Sequence, residues 1–160
     1  MSSATIYPGR NGTASPYGAC RARNFYSVLG WTRDKNPAYD FGAIKLDCEV
    51  GTRTGWLGFF WRSASLIGMQ ARISSYPGDK PLEQWTHTDS IRSETSLQTF
   101  YNTDTMPGNS GSGVFATNGV PAGCNGPCIH TVHAYGLTNR NGGTRITQPL
   151  FNNLVRWKAE

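Results

Sequence analysis

Short apolar runs, each cut off by glycine or proline, constrain this chain more than any other feature. Its 160 residues include 19 glycines and 9 prolines. Strand-like runs fall between them at residues 20–31, 41–46, 55–61, 69–78, 96–103, 110–117, 128–136 and 143–147. Runs of this length, separated by turn residues, predict a barrel or sandwich of short strands. The run 41–46 reads as a buried strand, and "QWTHTDS" around His87 reads as an exposed turn. Helical periodicity appears only near the C-terminus, in "TQPLFNNLVRWK". That segment puts Leu150, Phe151, Leu154 and Val155 on one face, with Thr147 as cap and Pro149 in the first turn. The expectation is an all-β fold of ordinary domain size with a C-terminal α-helix.

Charge narrows the function classes. Fifteen Lys and Arg against 10 Asp and Glu give +5. The basic residues are scattered, whereas a nucleic-acid binder gathers them on one face, so no nucleic-acid partner is expected. A mild positive field suits anionic substrates. No apolar stretch has membrane-spanning length, so no membrane partner is expected. Cys20, Cys48, Cys124 and Cys128 form an even set that fits an oxidising compartment and secretion to the extracellular space. Four cysteines allow three pairings. Nearness along the chain favours Cys20–Cys48 and Cys124–Cys128. "NGT" at Asn11 is a glycosylation signal that also fits secretion. The opening "MSSATIYPGRNGT" has the pattern of neither a signal peptide nor a membrane span, so the natural N-terminus is expected to have been removed or the chain to be a fragment.

The segment "TDTMPGNSGSGVF" carries chemistry. Gly108 and Gly111 flank Ser110 and permit backbone angles that other residues resist. Such a turn can aim backbone N–H groups at a developing oxyanion. A plain Gly/Ser loop is the blander reading. Asp40, in "NPAYDFGAIKL", stands just ahead of a strand, where an Asp is most often a turn residue. An acyl-transfer triad needs an acid to orient its imidazole, and His, Asp, Ser is one chain order in which triads occur.

These segments, with "YPGRNGTASPYGAC", "FYSVLGW", "VHAYG", "GGTRIT" and "FNNLVRW", resemble the glutamyl endopeptidases among the chymotrypsin-like serine proteases, over nearly the whole chain. The resemblance implies a chymotrypsin-like double Greek-key β-barrel whose first barrel is incomplete. Residues 1–50 would be the remainder of the N-terminal barrel, and 51–160 the C-terminal barrel with its helix. It implies Ser110 as nucleophile, Asp40 as triad acid, and the N–H groups of Gly108 and Ser110 as oxyanion hole. The backbone of Ala134, Tyr135 and Gly136 would pair with the substrate main chain. His133 would lie under the specificity pocket and Thr105 would form its polar wall, favouring cleavage after acidic residues, Glu above all. A buried substrate carboxylate needs donors, and an imidazole and a hydroxyl supply them. Ala134 stands where relatives place a hydroxyl beside the acid. No cofactor is implied. The expected partners are a peptide or protein substrate and the missing N-terminal segment, and a monomer is expected.

One departure is decisive. The chain's three histidines, His87, His130 and His133, all follow Asp40. In the triad template the histidine precedes the acid by about 45 residues, which lands before position 1. Either the chain is the C-terminal portion of a longer protease, the reading favoured here, or it is a pseudoprotease. In both cases it is expected to be inactive alone, and its first barrel to leave open edges. Two other readings are weaker. "CNGPCIHTVH" holds two Cys and two His, but strand alternation sends Cys128 and His130 one way and His133 the other, against a zinc site. A secreted β-rich binding module would use the 5 Trp and 7 Tyr as a groove, where core and barrel-edge roles are the simpler explanation.

Overall fold

The computed structural model describes residues 3–160, and its strands gather into two sheets. Strands β1 (Thr5–Ile6), β2 (Cys20–Ser27) and β3 (Gly42–Leu46) form an open antiparallel sheet in that order. A short helix, α1 (Leu29–Thr32), and a 3-10 turn (Pro37–Tyr39) lie between β2 and β3. The helix α2 (Gly51–Thr54) leads to β4 (Gly58–Phe59), β5 (Gln70–Ser75), β6 (Trp85–Ser90), β7 (Ser93–Glu94) and β8 (Gln98–Tyr101). Next come β9 (Gly113–Ala116), β10 (Cys128–Leu137), β11 (Arg140–Arg145) and the helix α3 (Gln148–Ala159).

The second sheet runs β6-β5-β9-β10-β11-β8-β7, with β4 alongside β10. Its two end strands are consecutive in sequence. At the corner between them, Ile91 N–H donates to Met69 O and Arg92 N–H to Phe100 O, both at 2.8 Å. One bent segment thus pairs with β5 at one end and β8 at the other, and the sheet curls into a barrel. Phe60, Leu66, Met69, Ala71, Ile73, Ile91, Tyr101 and Val114 fill it.

A second core joins the two sheets. Phe41, Ile146, Leu150 and Trp157 are buried there, with Tyr26 and Ala43 from the first sheet and Ile129 and Val132 from the barrel's outer face. Trp157 stacks on Tyr26 with ring centroids 5.5 Å apart. The helix α3 starts as expected: Thr147 Oγ1 accepts from Leu150 N–H at 3.5 Å, and Pro149 sits in the first turn. Both favoured disulfides are present. Cys20–Cys48 ties β2 to the segment after β3, and Cys124–Cys128 closes the loop into β10.

Several expectations are corrected. The run 20–31 ends as a strand at Ser27, and the chain turns there as α1, where a Cβ on Gly30 would meet the Tyr39 ring. The run 55–61 keeps only Gly58–Phe59 as strand. The strand in 41–46 is not buried throughout; Ile44 is 43 % exposed, because no described residue forms a layer over that face of the three-stranded sheet. His87 lies in β6, not in a turn. On α3, Val155 is 47 % exposed and Trp157 takes the inward position instead, at the Leu150, Leu154, Trp157 spacing. A β-bulge between Ile129 and Thr131 breaks the alternation of β10. His130 and His133 therefore both face the barrel core, against Phe60 and Tyr101 respectively.

Candidate active site

Ser110 sits at an exposed turn between β8 and β9. The φ of Gly108 is +103° and that of Gly111 is +89°, angles only glycine adopts readily. A Cβ on Gly108 would also meet Gly78 N at 3.0 Å and Tyr76 O at 3.1 Å. The turn is pinned from several sides. Asn109, buried, accepts from Met106 N–H at 2.6 Å and donates to Ser75 Oγ. Gly78 N–H donates to Pro107 O at 2.7 Å, and Gly111 N–H to His133 O at 2.8 Å. The N–H groups of Gly108 and Ser110 donate to no acceptor among the described residues. Two backbone donors therefore stand free beside the hydroxyl.

Asp40 follows the 3-10 turn, which is capped where Asn36 Oδ1 accepts from Ala38 N–H at 3.0 Å. Two side chains from the barrel hold this segment: Thr144 Oγ1 donates to Asp40 O at 3.1 Å, and the Tyr135 hydroxyl donates to Pro37 O. The Asp40 carboxyl accepts no hydrogen bond from any described residue, and burial raises its pKa. Burial and the Asp40 charge push the Tyr135 phenol up to about 12, against a hydrogen bond with Thr144.

Ser110 and Asp40 line one cleft of about 740 Å³ between the two sheets, with His133 and Ala134 in its wall. His133 is buried at its base, its Nδ1 2.8 Å from the Tyr101 hydroxyl. Burial pushes this imidazole down to about 4 and the Tyr101 phenol well above its ordinary value, so both are neutral near pH 7. The Nε2 of His133 has no partner among the described residues. Tyr135 and Gly136 pair with Gly142 and Asn141 of β11 on one side. On the other side, β9 stops pairing at Val132, so the β10 edge beyond His133 is bare.

Thr105 is not brought to this cleft. It lines a separate cavity of about 140 Å³ with Ser75, His87, Asp104 and Asn109. The segment before it is tied toward β5, Thr103 Oγ1 donating to Ala71 O at 3.0 Å. His130 lies in the core, with Nε2 2.9 Å from Gln70 O and Nδ1 3.1 Å from Thr131 Oγ1. Burial chiefly, helped by the charges of Arg62 and Arg145 and opposed by the Gln70 bond, pushes it down to about 4. Cys124 and Cys128 are joined to each other and offer no thiolate. Sequence reasoning missed Tyr101, Thr144 and the Tyr135 side chain as supports of the site. Of these, Tyr101 lies in β8, where Thr99, Phe100 and Tyr101 are all buried, so no alternation marks it.

No protein-family model matches the chain. It is 42 % identical over 159 residues to a glutamyl endopeptidase of Bacillus licheniformis, covering 97 % of this chain and 50 % of that protein. It is 40 % identical over 158 residues to a Bacillus subtilis protein named extracellular metalloprotease, covering 98 % of this chain and 49 % of the other. The chain thus spans about half the length of these curated relatives. Among solved structures, the protease Anisep of Arthrobacter nicotinovorans shares the fold, with a TM-score of 0.81 at 15 % identity over 98 % of this chain and 74 % of that one. A Glu endopeptidase solved in complex with MPD superposes with a TM-score of 0.88 at 30 % identity, covering 99 % of this chain and 73 % of that one. By that likeness in sequence and structure together, the chain belongs to the glutamyl endopeptidase family of chymotrypsin-like serine proteases.

Proposed function

We propose that this chain carries the nucleophile, the triad acid and the specificity pocket of an extracellular serine endopeptidase that cleaves after acidic residues, Glu preferred. One observation carries the reading: Ser110 and a carboxyl with no hydrogen-bond donor, Asp40, line the same cleft. An imidazole between them would take the Ser110 proton while the hydroxyl oxygen attacks the scissile carbonyl. Asp40 would stabilise the imidazolium, and the free N–H groups of Gly108 and Ser110 would hold the oxyanion. The leaving amine then takes the proton, and water releases the acyl group. The bare edge of β10 at Ala134, Tyr135 and Gly136 suits an extended peptide. In the tautomer where the Tyr101 hydroxyl donates to Nδ1, the His133 proton sits on Nε2 and can be given to a substrate carboxylate. Thr105 lines the other cavity, so this reading rests on His133 alone.

None of the three histidines is placed as the base. His87 and His130 lie outside the cleft lining, and His133 is engaged by Tyr101 with its basicity lowered. Loss of a triad histidine costs on the order of 10⁶ in rate, roughly 8 kcal/mol of transition-state stabilisation. The chain alone is therefore expected to leave a Glu-containing chromogenic peptide uncleaved. Recognition is testable without turnover. A peptide ending in Glu should bind the wild-type chain more tightly than its Gln counterpart, and His133→Phe should abolish the difference. Equal binding of both peptides by wild type would overturn the specificity proposal, and peptide turnover sensitive to serine-directed inhibitors would overturn only the expected inactivity, showing another base at work.

A further inference from the structure

The row of β6 that shares a face with the buried residues of β5 is not apolar, and its Trp85 and His87 are exposed. Across the ladder Ala71 faces Asp89, Ile73 faces His87 and Ser75 faces Trp85. The β5 members are buried, and two of the β6 members reach segment 102–104, which leads from β8 to the Ser110 turn. Side chains, not a backbone ladder, join that segment to β6. Asn102 N–H donates to Asp89 Oδ2 at 2.8 Å, and Asp104 N–H donates to His87 Nδ1 at 2.6 Å. Donors and acceptors are each two residues apart, the repeat of paired extended chains. Between them Thr103 is fully buried on Ala71 O.

The two ends differ chemically. Burial opposes charge on Asp89, but bonds from Arg92, Asn102 and Ser90 and the Arg92 charge hold its carboxyl below the usual range. The other end depends on one imidazole nitrogen. A protonated imidazole carries hydrogen on both nitrogens and accepts nothing.

We propose that His87 is a positioning residue for the Ser110 turn and acts as an acid-sensitive latch: the neutral ring holds Asp104 N–H, and the imidazolium releases it. The catalytic consequence rests on Ser110 being the nucleophile; the latch itself does not. Asp79, Lys80 and Asp104 share the cavity with His87, Asp89 lies on the same row with Arg92 behind it, and Arg72 lies on the neighbouring strand.

The test is amide hydrogen exchange at Asp104 in the full chain from pH 8 to 5, corrected for intrinsic pH dependence, with the His87 ring followed by NMR. Wild type should lose at least about tenfold of its Asp104 protection in step with the ring's titration. His87→Asn keeps an acceptor near the Nδ1 position and should stay protected throughout. His87→Phe should be unprotected at every pH. Constant protection in wild type, or full protection in His87→Phe, overturns the latch. Ser110 labelling by a serine-reactive phosphonate with added imidazole, in parallel samples, separates the two readings: an unlabelled Ser110 there with normal latch behaviour counts against the nucleophile and not against His87.

Discussion

Removing the Asp40 carboxylate should stabilise this chain. Most substitutions destabilise, so the expected sign is itself diagnostic. The carboxyl is half-buried, accepts no hydrogen bond among the described residues, and has its pKa raised by burial. A fully buried, unsatisfied polar group costs about 1–3 kcal/mol, and more when charged. Half-burial leaves solvent screening in place, so about 0.5–1 kcal/mol is the expected gain for Asp40→Asn. That corresponds to roughly 1–4 °C in Tm for a chain of this size. The pH dependence has a fixed sign. A carboxyl whose folded pKa is raised binds protons more readily in the folded state, so stability falls as pH rises through that window. The advantage of Asp40→Asn should be fully developed above the raised folded value and vanish below the ordinary Asp value of about 3.9. Urea unfolding of both proteins across acid to neutral pH measures it. If Asp40→Asn is instead destabilised by about 1 kcal/mol or more at pH 7, the carboxylate already has partners. The claim that it awaits an imidazole would then be wrong.

Three further outcomes are expected. Trp157→Ala removes the side chain that joins α3 to Tyr26 and Phe41, and should cost about 3–5 kcal/mol by urea unfolding; a loss under about 1 kcal/mol would mean the helix is not docked there. Gly108→Ala must hold alanine at a φ of +103° against two backbone atoms, and should cost about 1–3 kcal/mol, measured the same way. Replacing Cys20 and Cys48 by alanine opens a crosslink with a sequence separation of 28, and should lower stability by about 3–4 kcal/mol; an unchanged midpoint would contradict the crosslink's role.

Much of the barrel was legible because its strands alternate where one face is buried, as in "QARISS" of β5. The helix was legible from Thr147 and Pro149, whose capping roles are local. What escaped was set by tertiary context. The strand β6 is polar because the row that shares a face with the buried residues of β5 meets the 102–104 segment through His87 and Asp89, so no apolar alternation marks it. The bulge at Ile129 and Thr131 turns both barrel histidines inward, which period-two counting cannot register. Val155 and Trp157 exchanged places because the helix is read against a partner surface, Tyr26 and Phe41, that lies more than a hundred residues away in the chain. At the site, the turn around Ser110 was readable from its glycines, whereas the place of Asp40 before β3 by itself marks only a turn residue. The supports of Asp40, Thr144 and the Tyr135 hydroxyl, come from the other sheet and have no local signature.

The central claim is that Ser110 and Asp40 face one cleft. Labelling of the chain by a serine-reactive phosphonate, mapped by mass spectrometry with and without added imidazole, tests it most directly. Slow labelling at Ser110 that imidazole accelerates, with the acceleration lost in Asp40→Asn, is the predicted result. Labelling that Ser110→Ala leaves unchanged, or an imidazole effect that Asp40→Asn does not diminish, would contradict it.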